Sequence, residues 1–187
     1  MTTVLGIVGS PRAGGNTHVL VREVLAGAEE AGAATETLLL GDLDIAECDG
    51  CHACWEAKPC VKDDDMNRVY PAIAASDAIV FGTPVYWYGP TALIKAFLDR
   101  FVYFNCPEHR PEVRGKAAAI VVPFEEDRPE TADLVLEMLA RSLEYLEMNL
   151  IGTVIAPGVT KRGEVMHKPD RLREARDLGT KLAAARP

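Results

Sequence analysis

The chain alternates between short, uniformly apolar runs and longer stretches in which apolar residues recur every three or four positions. The short runs predict five strands, at residues 3–8, 35–40, 78–81, 117–122 and 150–155. Runs without polar alternation are typical of strands that are buried on both faces, as in a parallel sheet covered by helices.

Helical spacing fills the intervals between these runs. In residues 16–31 the apolar positions follow a period near 3.6, and three aspartates at 63–65 precede a second stretch of this kind. The same spacing predicts further helices, at residues 66–73, 93–101, 134–146 and 171–185. With right-handed crossovers, this order predicts an α/β fold: a doubly wound, five-stranded parallel sheet in three α/β/α layers.

Composition narrows the class of protein. The chain has 187 residues, 48% of them hydrophobic, so we expect one domain over residues 1–187. No apolar run approaches the roughly 18 residues of a membrane span, and the start MTTVLGIVGSPR lacks the features of a signal peptide, which predicts a cytoplasmic protein. Because the net charge is −8 and the chain has no long basic run, we expect no nucleic-acid partner, and we also expect no membrane partner. Lys161 and Arg162 are expected to be exposed charges, with attraction of a dinucleotide phosphate as the alternative.

The first strand is followed by the segment GSPRAGGNT, residues 9–17, and then by a helix. Glycines let a loop turn its N–H groups inward and a helix N-terminus adds unpaired N–H groups, so this order predicts a phosphate site. The segment fails the Walker pattern because Asn16 follows Gly15, and the dinucleotide fingerprint because Pro11 replaces its second glycine. A glycine-rich turn with Asn16 or Thr17 as helix cap is the alternative.

The loop after the third strand, TPVYWYGP at residues 83–90, carries three consecutive aromatic residues. In a parallel sheet this loop lies at the same edge as the phosphate loop, where ligands bind. A planar ring stacked on these side chains would account for them. Packing beneath the loop or in a subunit interface is the alternative.

Four of the five cysteines lie within thirteen residues, in the segment CDGCHACWEAKPC at 48–60. In a reducing compartment, clustered cysteines bind metal or do redox chemistry more often than they form disulfides. The spacing C-x2-C-x2-C-x5-C is more compact than the separated knuckles of a structural zinc site and favours a cluster. Zinc, and free or redox-active thiols, stay open as alternatives. Cys106 is expected to be a buried apolar or interface residue.

The chain resembles the flavodoxin-like NADPH-dependent FMN reductase family over nearly its whole length, in the segments GSPRAGGNT, DDDM, DAIVFGTPVYWYGPTALIKAFLDRF, GTVIAPGVTKRGE and ARDLGTKLA. The resemblance implies a flavodoxin-like fold with FMN as cofactor and NAD(P)H as co-substrate. It assigns the FMN phosphate to four residues of the first loop: Ser10, Arg12, Asn16 and Thr17. It assigns the isoalloxazine ring to the aromatic loop and to the loop after the fourth strand: Pro84, Val85, Tyr86, Trp87 and Phe124.

The cysteine segment is similar to the compact motif that the iron–sulfur flavoproteins of this family carry after their second strand. The resemblance implies a 4Fe–4S cluster beside FMN, held by Cys48, Cys51, Cys54 and Cys60.

The expected function is an FMN-dependent oxidoreductase that passes electrons from NAD(P)H to a quinone, a flavin or another small acceptor. FMN carries the redox chemistry, so no catalytic acid or base is assigned. The alternatives are an iron–sulfur flavoprotein that takes electrons from a ferredoxin-like donor, and a binding module that lost its cofactor. We expect a homodimer or homotetramer, because the cysteine loop and the aromatic run 101–104 need cover.

Overall fold

The computed structural model describes residues 1–56 and 58–185, and its centre is a five-stranded parallel sheet. The strands are β1 (Thr3–Val8), β2 (Ala34–Leu39), β3 (Ala78–Gly82), β4 (Ala117–Pro123) and β5 (Asn149–Ala156). Their order across the sheet is β2-β1-β3-β4-β5, and every neighbouring pair is parallel. The predicted doubly wound, five-stranded sheet is confirmed, and each predicted strand overlaps an observed one.

Helices cover both faces of the sheet. Over the described residues they are α1 (Asn16–Glu30), α2 (Met66–Ala75), α3 (Ala92–Asp99), α4 (Val102–Asn105), α5 (Asp133–Tyr145) and α6 (Pro169–Ala184). α1 and α6 pack on one face, and α2 to α5 pack on the other. The helix predicted over 93–101 is observed as α3, but it ends at Asp99 and the chain turns before α4. α6 begins at Pro169 rather than at 171, because the fixed φ of proline suits the first helical position.

Alternate residues of the central strands enter two separate apolar layers. Leu5 and Ile7 of β1 belong to the layer beneath α2 to α5, whereas Val4 and Val8 belong to the layer beneath α1 and α6. All four side chains are at most 1% exposed. This burial on both faces explains why the strands are uniformly apolar in the sequence.

The aromatic run 101–104 lies in the first of these layers. Phe101 and Phe104 are buried, with ring centroids 5.3 Å apart, and Tyr103 stacks on Tyr70 with centroids 4.1 Å apart. The run is therefore covered by the core of its own chain and gives no reason to expect a second subunit.

β1 marks the point where the strand order reverses, because it pairs with β2 on one side and β3 on the other. In open sheets of this kind a crevice forms at the carboxyl ends of the strands beside the reversal. The loops after β1, β3, β4 and β5 all reach this edge. Among the described residues, no helix has the length and apolar character needed to cross a membrane.

Candidate functional site

The loop between β1 and α1 ends in the N-terminus of a helix. Val19 is the first residue of α1 whose N–H bonds back along the chain, to the Gly15 carbonyl at 3.0 Å. The N–H groups of the residues before it are those that a helix leaves for an anion. Ser10 and Thr17, at 7% and 2% exposure, border the same space, and the Ser10 Oγ accepts from the Arg12 N–H at 3.2 Å. The predicted strand, loop and helix order is confirmed.

Hydrogen bonds to the backbone of Gly9 connect the loop after β1 to β3 and to the loop that follows it. The Gly9 N–H donates to the Gly82 carbonyl at 2.7 Å, and the Thr91 hydroxyl donates to the Gly9 carbonyl at 2.5 Å. A Cβ at Gly9 would lie 2.9 Å from both the Gly82 oxygen and the Ile94 side chain, so only glycine allows this approach. Thr91 also caps α3 by accepting from the Ile94 N–H, which ties the aromatic loop to a helix start.

The Asn16 side chain holds the loop after β5 against the phosphate loop. Its Nδ2 donates to the carbonyls of Val159 and Lys161 at 3.3 and 3.0 Å, and its Oδ1 accepts from the Val165 N–H at 3.1 Å. Since these bonds engage the amide at both ends, Asn16 offers a ligand its backbone N–H rather than its side chain. The resemblance assigned Asn16 to the phosphate without revealing this structural role.

Glu164 also stabilises the loop after β5. Its carboxylate accepts from the N–H groups of Thr160 and Lys161 at 2.7 and 2.8 Å. The hydrogen bond from Lys161, followed by that from Thr160, lowers the pKa of Glu164 below its usual value. The loop therefore keeps its shape through a carboxylate that stays ionised at neutral pH.

The aromatic loop folds into a tight two-residue turn. Tyr86 and Gly89 exchange both backbone hydrogen bonds, at 2.8 and 3.0 Å, and the residues between them, Trp87 and Tyr88, have φ values of 52° and 59°. Positive φ at both central residues defines a type I′ turn, which asparagine and glycine favour and bulky side chains do not. The side chains of Tyr86, Trp87 and Tyr88 are 43%, 98% and 59% exposed, so they do not pack beneath the loop.

These loops enclose one cavity of about 110 Å³. It brings together most of the residues that the resemblance assigned to FMN: Ser10, Arg12, Asn16, Thr17, Pro84, Val85, Tyr86 and Phe124. Trp87 is outside its lining, and its contact with the ring stays a prediction. Val159, Thr160 and Arg162 also line the cavity. The sequence pattern did not indicate the first two and Arg162 was expected to be an exposed charge, because the position of this loop depends on the Asn16 contacts.

The two ends of this cavity differ in chemistry in the way that FMN requires. One end has a helix N-terminus, the hydroxyls of Ser10 and Thr17, and the guanidinium of Arg12, which are groups that bind phosphate. The other end has apolar side chains, among them Val85 and Phe124, which suit a planar ring. The residues present therefore fit this cofactor.

A second, smaller cavity of about 20 Å³ is bordered by all four cysteines of the motif. The structure places Cys54 in the interior and Cys51 at the surface, with Cys48 and Cys60 in between. Among the described residues, no three histidine, cysteine or acidic side chains are close enough to hold a metal ion, and no two cysteines are bonded. Each thiolate of a 4Fe–4S cluster ligates a different iron, so the four sulfurs need not converge on one ion. Four thiols around one cavity are the donor set of such a cluster, and in this respect the residues present fit it.

Arg100, which borders the cysteine cavity, belongs to a buried ion pair that the sequence pattern did not predict. Arg100, 1% exposed, forms a salt bridge with Asp64 and donates to the Ala46 carbonyl at 2.9 Å and to the Cys60 sulfur at 3.1 Å. Burial acts to lower the pKa of Arg100, but the hydrogen bond to Asp64 and nearby negative groups outweigh it, so the pKa lies above its usual value. The one signal in the sequence is an arginine inside the predicted apolar stripe that runs from Leu93 to Phe101.

The cysteine outside the motif is buried, as expected. Cys106 is 0% exposed, and its sulfur donates to a Glu108 carboxylate oxygen at 2.7 Å.

Comparison with known proteins agrees with this geometry. The family model described as NADPH-dependent FMN reductase matches residues 2–161. An iron–sulfur flavoprotein of Archaeoglobus fulgidus is 33% identical over 97% of this chain and 79% of its own length. An iron–sulfur flavoprotein of Methanocaldococcus jannaschii is 41% identical over 52% of this chain and 50% of its own length. A Bacillus subtilis protein named as an NAD(P)H-dependent FMN-containing oxidoreductase, YwqN, is 24% identical over 92% of this chain and 93% of its own length.

Solved structures support the fold. A WrbA-like flavodoxin from Agrobacterium tumefaciens superposes with a TM-score of 0.65 at 19% identity, over 98% of this chain and 96% of that one. The chain therefore belongs to the NADPH-dependent FMN reductase family, and the expected resemblance, the flavodoxin-like fold and the FMN-dependent oxidoreductase class are confirmed.

Proposed function

We propose that this member of the NADPH-dependent FMN reductase family takes electrons from NAD(P)H and passes them through FMN to a quinone, a flavin or another small acceptor. The observation that carries the proposal is the single cavity in which a phosphate-binding helix start and an apolar, aromatic-edged wall meet. A ligand with a phosphate at one end and a flat ring at the other matches both parts.

The protein contributes binding and orientation to this reaction. Arg12, Ser10, Thr17 and the N–H groups that open α1 would hold the phosphate, and Pro84, Val85 and Phe124, which line the same cavity, would contact the ring. When bound, FMN supplies the redox chemistry, accepting an electron pair from the nicotinamide and passing it to the acceptor. We assign no catalytic acid or base, because the cofactor carries the chemistry.

The test is an anaerobic reaction of the FMN-loaded protein with NADPH and, separately, NADH. Rapid bleaching of the flavin absorption, followed by its return on addition of a quinone, is the expected result. Purified protein that is colourless and fails to bind added FMN would point to the binding-module hypothesis instead. Stable flavin absorption in the presence of both nicotinamides would exclude the reductase and leave a protein donor.

A second candidate is one-electron transfer from a ferredoxin-like protein through a 4Fe–4S cluster to FMN. The observation that favours it is the set of four thiols around one cavity: Cys48, Cys51, Cys54 and Cys60. The printed name of the Archaeoglobus fulgidus relative, an iron–sulfur flavoprotein, supports the same candidate. Iron and acid-labile sulfide assayed on anaerobically purified protein decide it. About four irons per chain support the cluster, and absence of iron leaves the thiols free or redox-active.

We propose further that the protein is a homodimer or homotetramer in the cytoplasm. An exposed tryptophan beside an exposed tyrosine at the tip of the β3 loop is the surface that a second subunit would cover, and a reducing compartment suits the free thiols. Light scattering of the FMN-loaded protein tests the assembly, and a monomer at micromolar concentration would contradict it. Fractionation of cells that express the protein tests the compartment.

A further inference from the structure

We propose that Arg100, held by Asp64, is a positioning residue for the four-thiol site, which fixes Cys60 through its sulfur and favours the reduced state of a cluster bound there. The inference rests on the cluster form of the proposed function. It assigns a role to Arg100 and Asp64, which lie outside the cysteine motif, and it adds no ligand to the four cysteines.

The guanidinium of Arg100 has a fixed set of partners. One terminal nitrogen donates to the Ala46 carbonyl and the Asp64 carboxylate, and the other donates to the Cys60 sulfur at 3.1 Å. Ala46 lies just before the motif and Cys60 is its last cysteine, so one side chain ties together the two ends of the cysteine loop. The planar fork of arginine suits this arrangement in a way that the single ammonium of lysine does not.

Asp64 keeps the guanidinium in this orientation. Its carboxylate accepts from the Ala46 N–H at 3.1 Å and from the Met66 N–H at 3.0 Å, as well as from Arg100. The Asp64 side chain is 6% exposed, and the positive start of α2 stabilises its charge. The pair is therefore oriented, with the carboxylate toward α2 and the guanidinium toward Cys60.

The burial of the Arg100–Asp64 pair needs an explanation, and the hydrogen bond from Arg100 to the Cys60 sulfur provides one. A buried ion pair adds little stability over well-packed apolar residues, because removing both charges from water costs about as much as their attraction returns. Arg100 directly follows the last residue of α3 and lies in the sequence between Phe97 and Phe101, both buried, at a position whose burial is that of an apolar core residue. A donor aimed at a cysteine sulfur is what an apolar residue could not supply.

A hydrogen-bond donor at the Cys60 sulfur affects the reduction potential of a cluster that this sulfur would ligate. Four thiolates carry four negative charges, and reduction of the cluster by a one-electron protein donor adds one electron without a proton. Hydrogen bonds to the ligand sulfurs stabilise the more negative form and are among the factors that set the potential of iron–sulfur clusters. With its donor at Cys60, Arg100 would therefore favour the reduced form of a cluster held by these thiols.

The test compares Arg100→Lys, Arg100→Met and the control Lys116→Met in anaerobically purified protein. Lys116 is also a buried cation, 9% exposed, but it donates to the carbonyls of Ala74 and Ser76 at the far end of α2 from the cysteine loop. The readouts are iron and sulfide per chain, and the midpoint potential from titration with dithionite and mediators. FMN affinity is measured alongside.

The expected result is a lower potential in both Arg100 variants, with a change of about tenfold in the equilibrium between reduced and oxidised cluster for Arg100→Met. For a one-electron couple this is about 59 mV. Arg100→Lys keeps the charge and is expected to show a smaller shift in the same direction. Lys116→Met is expected to retain the wild-type potential, and FMN affinity to stay unchanged in all three.

Different results overturn different parts of the proposal. A wild-type protein without iron contradicts the cluster itself and this inference with it, while the FMN reductase proposal stands. Wild-type iron content with an unchanged potential in Arg100→Lys overturns the role of Arg100 alone, even if Arg100→Met does not fold. An equal shift in Lys116→Met overturns it too, because the effect would then be that of any buried cation.

Discussion

Gly179 of α6 packs directly against the backbone of α1, where a Cβ on Gly179 would overlap the carbonyl oxygen of Val24. The contact is reciprocal, because a Cβ on Gly27 of α1 would overlap the carbonyl oxygen of Arg176 in α6. Two glycines facing opposite backbones let these helices lie closer than side chains would allow. The layer over this face of the sheet therefore depends on the absence of two β-carbons.

We predict that Gly179→Ala lowers the free energy of unfolding by about 1–3 kcal/mol, although alanine favours the helix, because the backbone atoms it meets cannot move aside. Urea unfolding followed by circular dichroism measures the loss. Gly41→Ala is the control, since its Cβ would lie 3.5 Å or more from its neighbours. Equal stability of the wild type and Gly179→Ala would mean that the helices separate at little cost.

The phosphate end of the FMN cavity is tested by comparing two ligands. Thr17→Val and Ser10→Ala each remove a hydroxyl that borders the cavity, so we predict about tenfold or more weaker binding of FMN. Riboflavin, which lacks the phosphate, should bind the variants as it binds the wild type. Fluorescence titration measures both affinities. Parallel losses for the two ligands would assign these hydroxyls to loop structure instead of phosphate binding.

The turn at Trp87 and Tyr88 holds two bulky aromatic residues at positive φ, where asparagine and glycine are favoured. We predict that the double substitution Trp87→Asn with Tyr88→Gly raises the free energy of unfolding by about 1–3 kcal/mol, because it relieves this backbone strain. We expect turnover with NADPH to fall in the same variant, since the aromatic side chains are lost. Chemical unfolding and steady-state assays provide the two measurements.

The matched control for this turn places phenylalanine at both positions. It keeps the strained backbone and two aromatic rings, so wild-type stability is expected. If the asparagine–glycine variant is no more stable than the wild type, the turn does not store backbone strain.

Lys116 gives the protein a pH dependence in the alkaline range. Burial lowers its pKa below the ordinary 10.5, so the folded protein releases this proton at a lower pH than the unfolded chain does. Between the folded-state pKa and 10.5 the unfolded state binds more protons, and stability rises with pH through this group. We predict that the stability of the wild type relative to Lys116→Met increases as the pH rises toward that limit. Urea unfolding of both proteins at each pH measures the difference, and a constant or falling difference would contradict the prediction.

The sequence by itself determined the sheet and the place of the site. Strands buried on both faces must be apolar throughout and helices on a sheet must be apolar on one side, so spacing alone located every strand of the described chain. The order of these elements then brought the loops after β1, β3 and β4 to one edge. Resemblance to a family named the residues there, and the cavity gathered all of them except Trp87.

Only the tertiary structure decided how individual polar side chains are used. Asn16 is a residue type that suits a phosphate site, yet its side-chain amide bonds to a loop far along the chain. Arg100 likewise bonds to Asp64 and Cys60, which lie in a distant segment. Spacing reports which face of an element is apolar, because that property repeats along the chain. A hydrogen bond between distant segments does not repeat, so it becomes visible only when the fold has brought both partners together.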